Sequence, residues 1–301
     1  MHSNSRLHVI DLDQDLPGHR RFVSAWVMLG DPCYVVDPGP ASTSVRLIEA
    51  LHRLGVSKLD FVLATHIHLD HSGGAAELLE AYPSAKFHCH ALGREHLHRP
   101  EKLWKGSLAV LGDVARAYGE PRPVAADRFA TDEHLKKMGL VVIDGPGHAA
   151  HHQCYLHDGT LFAGEALGIR QALPSGRPYL RPATPPRFFL EQALSTIDRL
   201  GSLEPEPLRV AFAHHGLVED GAQLWCDRAR QQLLLWVDAV RDLRLKSPEN
   251  LEQRLFARLM DDDPLYGQGA IDELEEDIRQ REKHFLASTL RGILGFLEST
   301  F

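Results

Sequence analysis

The sequence predicts an α/β protein, on three observations. Short apolar runs of strand length recur along the chain, amphipathic helical stretches lie between several of them, and four of the runs end directly in a histidine or a carboxylate. Solvated loops do not collect ligand-type side chains in this way. Open α/β sheets do, because loops converge on a rigid platform at strand ends.

The strand-like runs are Leu7–Leu12, Phe22–Leu29, Cys33–Val36, Phe61–Ala64, Lys86–His88, Leu140–Ile143, Gln153–Leu156 and Leu208–Ala213, with Leu161–Gly164 a further short apolar run. Between them, Ser42–Leu54 sets Val45, Ile48 and Leu51 on one helical face, with Ser42 or Thr43 as N-cap and Gly55 as the stop. Gly73-Gly74 opens a second helix over Ala75–Ala81. Leu92–Tyr118 reads as a helical insertion, its Leu103, Leu108, Leu111 and Val114 spaced for an apolar face.

Gly168–Pro186 is rich in glycine and proline and has no periodicity, so it is expected to be a long loop facing substrate, with Arg170, Tyr179 and Arg181 as candidate contacts. From Gly221 to Phe301 the chain holds no ligand cluster and reads as helices around Leu233–Trp236, Leu251–Met260 and Ile271–Leu297. Asp261-Asp262-Asp263-Pro264 is expected to be a solvated acidic turn, since proline cannot continue a helix. Two parts follow: residues 1–220 as a metal-binding catalytic core and 221–301 as a helical extension. The extension is expected to pack on the core, cover the site mouth or make a homodimer contact.

The chemistry starts at Thr65-His66-Ile67-His68-Leu69-Asp70-His71-Ser72-Gly73-Gly74. Imidazole nitrogen and carboxylate oxygen suit a borderline divalent ion such as zinc, yet six residues cannot wrap four such groups around one tetrahedral ion. In extended chain His66 and His68 point the same way, and the following turn carries Asp70 and His71 toward a second spot. Two metal positions are therefore implied. Further donors stand at later strand ends: His148 on the Gly145-Pro146-Gly147 turn, Glu165 after Gly164, and His214 or His215 after Ala213. Asp37 is the candidate for orienting a ligand imidazole from outside, with a plain turn former as the alternative. Isolated histidines such as His8 and His98 read as structural.

The motif resembles the His-x-His-x-Asp-His signature of the metallo-β-lactamase superfamily, over roughly residues 7 to 236. Asp37-Pro38-Gly39 is similar to that family's early Asp-Thr-Gly turn, and Gly147-His148 to its third-histidine turn. Glu165 stands where the family usually has a bridging aspartate. Gly147–His152, Leu180–Pro186 and His214-x-Gly216 further resemble a poorly characterised glyoxalase II-like branch, an alignment that selects His214 over His215. The resemblance implies a four-layer αββα sandwich with the metals at one edge. It assigns His66, His68 and His148 to one ion, Asp70, His71 and His214 to the other, and Glu165 to both. Two divalent ions are expected, zinc first, with iron or manganese as alternatives.

The implied reaction is attack of a metal-bound hydroxide on an ester, thioester or lactone, with Asp70 orienting the nucleophile or passing a proton to the leaving group. Glu165 is longer than aspartate by about 1.5 Å, the length of one C–C bond. It either still bridges through a retreating turn or serves one ion only. Two other readings stay open: a mononuclear iron sulfur dioxygenase on the same scaffold, and a metal-binding module without turnover.

Composition adds limits. With 301 residues and 44% apolar content the chain has enough material for a large core and is not a disordered segment. A net charge of −8, concentrated from Val218 onward, argues against a phosphate-tracking surface, so a small-molecule substrate is expected and nucleic acid is not. No apolar run reaches the roughly 18 residues of a membrane span, and Met1–Arg6 is polar, so a cytoplasmic protein is the expectation. Cys33, Cys89, Cys154 and Cys226 form no Cys-x-x-Cys pair and read as buried thiols. No Gly-x-Ser-x-Gly nucleophile motif occurs.

Overall fold

A computed structural model describes residues 6–246 and 249–299; of the polar N-terminal stretch, Met1–Ser5 lies outside the described residues. Two five-stranded sheets face each other. The first runs in chain order through β1 (Leu7–Asp11), β2 (Ser24–Met28), β3 (Tyr34–Val36), β4 (Phe61–Leu63) and β5 (Lys86–His88), antiparallel up to β3 and parallel from β3 to β5. The second contains β6 (Val141–Asp144), β7 (Gln153–His157) and β8 (Thr160–Gly164). A separate hairpin, β9 (Ile169–Ala172) and β10 (Pro178–Arg181), precedes its last strands, β11 (Arg209–Phe212) and β12 (Leu217–Val218). Its order is β12-β11-β8-β7-β6.

Strand alternation assigns each residue to a layer. Trp26, Met28, Tyr34, Val36, Phe61 and Leu63 of the first sheet meet Tyr155, Phe162 and Ala211 of the second in one core between the sheets. Their neighbours Val27, Val35 and Val62 point the other way, into the core under the N-terminal helices. On the second sheet, Cys154, Leu161, Ala163, Val210 and Phe212 point outward into a core shared with the later helices. Helix, sheet, sheet, helix is the resulting stack, the four-layer sandwich that the resemblance implied.

The helices on the first face are α1 (Ser44–Arg53), α2 (Leu69–Ser72) and α3 (Ala75–Ala81). In α1 the buried face is Leu47, Ala50 and Leu51, whereas Val45 is 67% exposed. The buried face is centred on Leu47 and Leu51 instead of on Val45: at about 3.6 residues per turn Val45 stands nearly opposite Leu47 and takes the solvent side. The insertion forms α4 (Ala91–His98), α5 (Glu101–Leu111) and α6 (Asp113–Tyr118), followed by α7 (Asp132–Lys137). Ala115 and Tyr118 of α6 pack on Leu69 of α2, joined by Leu103, Trp104, Leu108 and Val114, so the insertion braces the helix that carries Asp70 and His71. Leu111 stays 37% exposed and takes no part in that packing.

Helices α8 (Leu190–Gly201), α9 (Ala222–Lys246), α10 (Leu251–Asp262) and α11 (Glu276–Ser299) cover the second sheet. Trp225, Trp236, Leu255, Ile278 and Ile293 join its outward residues in one continuous core, so the extension packs on the sandwich. Asp263 is not a solvated turn residue. It is 1% exposed, and its carboxylate accepts from Trp236 Nε1, Gln232 Nε2 and the backbone N–H of Leu265 and Tyr266. Those donors replace the water that an exposed aspartate would keep.

Gly168–Pro186 likewise differs from the expected loop. Its β9–β10 hairpin is buried under α9–α11, and Tyr179 and Arg181 are committed to Glu282 of α11: Tyr179 donates to Glu282 Oε2 at 2.8 Å and Arg181 Nε to the same oxygen at 2.5 Å. Arg281 donates to the other oxygen through Nη2 at 2.8 Å. Gly176 and the Pro-rich flanks hid a hairpin whose strands are only four residues each. The four cysteines are all free thiols, three of them buried.

Burial opposes ionisation of Glu282, but Arg181 and Arg281 outweigh it and hold its carboxyl down at about 2. The unfolded carboxyl titrates near about 4.3. The stabilisation is therefore complete above that pH and is lost as pH falls toward 2, to the extent of roughly 3 kcal/mol. Urea titrations of wild type and Glu282→Gln should converge as pH is lowered from 6 to 3; an equal gap at both pH values contradicts this account.

Candidate metal centre

The site stands at the strand ends of both sheets. Strand β4 runs out at Leu63, whose carbonyl accepts Asp37 N–H at 2.8 Å, and Thr65 O accepts Gln153 N–H at 2.8 Å, tying the first sheet to the start of β7. The chain then turns through His66 and His68 into α2, so Asp70 and His71 are displaced by a helical turn. His148 arrives on the turn after β6, Glu165 directly after β8, and His214 just beyond β11.

Two donor groups result: His66, His68, His148 and Glu165 in one, Asp70, His71 and His214 in the other. In the first, His68 Nδ1 lies 2.9 Å from His66 Nε2 and 3.2 Å from His148 Nε2. Glu165 Oε2 is 3.2 Å from His66 Nε2 and 2.9 Å from His148 Nε2. Donors around a tetrahedral ion with arms of roughly 2.0–2.1 Å sit about 3.3 Å apart. The set is therefore pre-shaped for such an ion. In the second group His71 Nε2 is 3.5 Å from Asp70 Oδ2, and His214 Nε2 is 3.9 Å from the same oxygen. Glu165 Oε1 reaches His214 Nε2 at 3.3 Å while Oε2 faces the first group, so the longer side chain touches both.

The tautomers are fixed from behind. His148 Nδ1 donates to Ala183 O at 3.0 Å and His214 Nδ1 to Phe22 O at 3.1 Å, which leaves each Nε2 lone pair aimed inward. Asp37 serves both groups at once. Its Oδ2 accepts His71 Nδ1–H at 3.2 Å and the Thr65 hydroxyl at 2.9 Å, and that hydroxyl accepts His66 Nδ1–H at 3.1 Å. His71 Nε2 is buried and has no hydrogen-bond partner among the described residues. With Nδ1 turned to Asp37, Nε2 faces Asp70 Oδ2 and Glu165 Oε2, each 3.5 Å away, and joins the donor set.

Electrostatics divide the imidazoles. Burial, then the neighbouring imidazoles, push His66 and His68 well below the usual histidine range, so both are neutral ligands. For His71 burial acts in the same direction, but Asp70 and Asp37 outweigh it and raise its basicity well above the ordinary value. Glu165 is disfavoured as an anion by burial, yet His148 and His214 hold it well below the usual carboxylate range.

Other expected residues fall elsewhere. His215 adopts a left-handed backbone, with φ of 53°, and its Nδ1 lies 3.4 Å from Asp11 Oδ1, outside both groups. Arg170 donates to His215 O at 3.1 Å, and Tyr179 and Arg181 face Glu282. His152 is fully buried, and its Nε2 accepts Glu165 N–H at 3.1 Å. Gly164 makes that possible, because at its φ of 55° a Cβ would lie 2.5 Å from His152 Nε2 and 2.8 Å from Thr65. The role of His152 behind Glu165 was not expected, and Thr65 and Phe22 were not singled out in the sequence. Thr65 could have been, since it stands between a strand end and the first ligand; Phe22 carries no local signal.

The family model described as the metallo-β-lactamase superfamily matches residues 19–214. The chain belongs to the metallo-β-lactamase superfamily. This superfamily member is 31% identical over 204 residues to the metallo-β-lactamase fold-containing protein ST1585 of Sulfurisphaera tokodaii, covering 65% of this chain and 73% of the relative. It is 29% identical over 184 residues to the hydroxyacylglutathione hydrolase of Vibrio campbellii, covering 60% of this chain and 56% of that enzyme. The crystal structure of ST1585 superposes with a TM-score of 0.65 at 24% identity, over 96% of this chain and 98% of that one. The fold likeness therefore includes the C-terminal helices.

Removing the shared carboxylate should loosen both groups. Asp37→Ala is expected to weaken zinc binding about 10- to 100-fold, the range for partners behind ligand histidines, as read by equilibrium dialysis. His214→Ala should lose more metal than His215→Ala in the same measurement; the reverse order would remove His214 from the site.

Proposed function

We propose that this chain is a dinuclear hydrolase, with zinc as both ions, that cleaves an ester, thioester or lactone of a small molecule. The observation that carries the reading is the joint donor set, in which Glu165 presents one oxygen to His66 and His148 and the other to His214. Imidazole and carboxylate donors without thiolate suit a borderline divalent ion. When bound, such ions lower the pKa of water toward neutrality and polarise an acyl oxygen.

The chain's own residues supply the remainder. His66, His71, His148, Glu165 and His214 are buried, and their outer hydrogen bonds hold them in place, so the donor set is ordered before substrate arrives. Asp70 is the carboxylate of the cluster that keeps contact with solvent, at 16% side-chain exposure. Its Oδ2 is the group placed to take a proton from the attacking water and return it to the leaving oxygen or sulfur. Among the three acyl classes, likeness to a hydroxyacylglutathione hydrolase favours the thioester. The complete second group of Asp70, His71 and His214 favours two ions over a mononuclear iron dioxygenase.

Metal analysis and a substrate panel test the proposal together. About two zinc per chain and turnover of one thioester, ester or lactone class are expected, with His66→Ala and His148→Ala losing metal and turnover while the chain stays folded by circular dichroism. One iron per chain with oxygen uptake on a persulfide, or full turnover in either variant, overturns it.

A further inference from the structure

Phe22 meets His214 twice. Its carbonyl accepts His214 Nδ1–H at 3.1 Å, and its ring stacks on the imidazole with centroids 4.3 Å apart and planes 29° apart. One residue thus sets both the tautomer and the tilt of a candidate ligand. Phe22 stands near the end of the segment between β1 and β2, and much of what holds that segment lies about 260 residues further along the chain, on α11.

Arg281 donates through Nη1 to Gly18 O at 2.5 Å, and its guanidinium carbon lies 4.0 Å from the Phe22 ring centroid. Phe285, one helical turn further on, stacks on the same ring at 5.5 Å and 26°. Asp277 accepts Gly18 N–H at 3.1 Å and pairs with Arg20. The approach is close enough to require glycine: Gly18 has φ of 77°, and a Cβ there would lie 2.4 Å from Asp277 O. The family match ends at residue 214, so this clamp comes from chain outside it.

We propose that Arg281 is a positioning residue for the half-site of Asp70, His71 and His214, acting through Gly18 and Phe22 to fix how His214 presents Nε2. The inference rests on the dinuclear reading. A ligand imidazole held by stacking and by its outer N–H has less freedom to lose when an ion binds. Arg281 thereby tunes one ion and leaves the group of His66, His68 and His148 untouched.

The test is equilibrium dialysis of the full chain against zinc, with cobalt spectra reporting the geometry of each occupied position. Arg281→Met and Phe22→Leu should each weaken one of two ions by about 10- to 100-fold, the range for groups behind a metal ligand, and leave the other at wild-type affinity. Arg281→Lys, which keeps a donor for Gly18 O, should recover part of the loss. Phe296→Leu, on the same helix but packed on Phe188 at 6.1 Å, should keep both ions and so controls for general loosening of α11. If Arg281→Met does not fold, Phe22→Leu decides. Two ions of unchanged affinity in the Phe22 and Arg281 variants overturn this inference alone. A wild type that takes one ion, unaffected by His214→Ala, overturns the dinuclear reading and this inference with it.

Discussion

Asp37 is the point on which the centre depends. Its carboxylate is 1% exposed and takes hydrogen bonds from Thr65 N–H, the Thr65 hydroxyl and His71 Nδ1, and through that hydroxyl it also governs His66. Burying an ionised carboxylate is costly unless several donors compensate. Here the compensating donors are the outer faces of ligands from both groups. Stability of the first sheet's edge and orientation of the imidazoles are therefore one interaction, and loosening either loosens the other.

Around that anchor the site is built by convergence of strand ends, with each sheet contributing a different part. The first sheet delivers the clustered histidines on one turn; the second delivers His148, Glu165 and His214 singly, each from a separate strand. Gln153 N–H on Thr65 O stitches the two edges together. The donors sit near tetrahedral spacing because three of the imidazoles are locked through Nδ1 to Ala183, Phe22 and Asp37, rather than because they attract one another. Several buried, mutually repelling basic groups at such spacing would otherwise separate or protonate.

Much of this was legible in the sequence. Clustered donors at strand ends name themselves, whereas Tyr34–Val36 and Leu161–Ala163 are apolar throughout, so the layer that each side chain enters is fixed only when the sheets assemble. Glu165 and the His214-His215 pair were readable because they follow apolar runs, and Asp37 because it sits in a turn motif; the choice of His214 over His215 came from the family resemblance. What stayed hidden depends on contacts across the chain. Strands β9 and β10 are four residues long and flanked by glycine and proline, so nothing local distinguishes them from a loop. Asp263, Tyr179 and Arg181 look solvent-seeking, yet each is buried because a distant donor or acceptor meets it. Val45 shows that an apolar residue at helical spacing can still stand on the solvent side, since the face that packs is centred on Leu47 and Leu51.

The single core that joins the outward face of the second sheet to α8–α11 has a practical corollary for anyone handling this molecule. Trp225, Trp236, Leu259, Ile278 and Ile293 are the other half of what Leu161, Val210 and Phe212 bury. A chain trimmed to residue 220 would leave much of that face greasy and wet at once, a surface that recruits other copies of itself into precipitate. The helical segment is thus no detachable appendix, and residues 1–220 expressed alone are expected to aggregate.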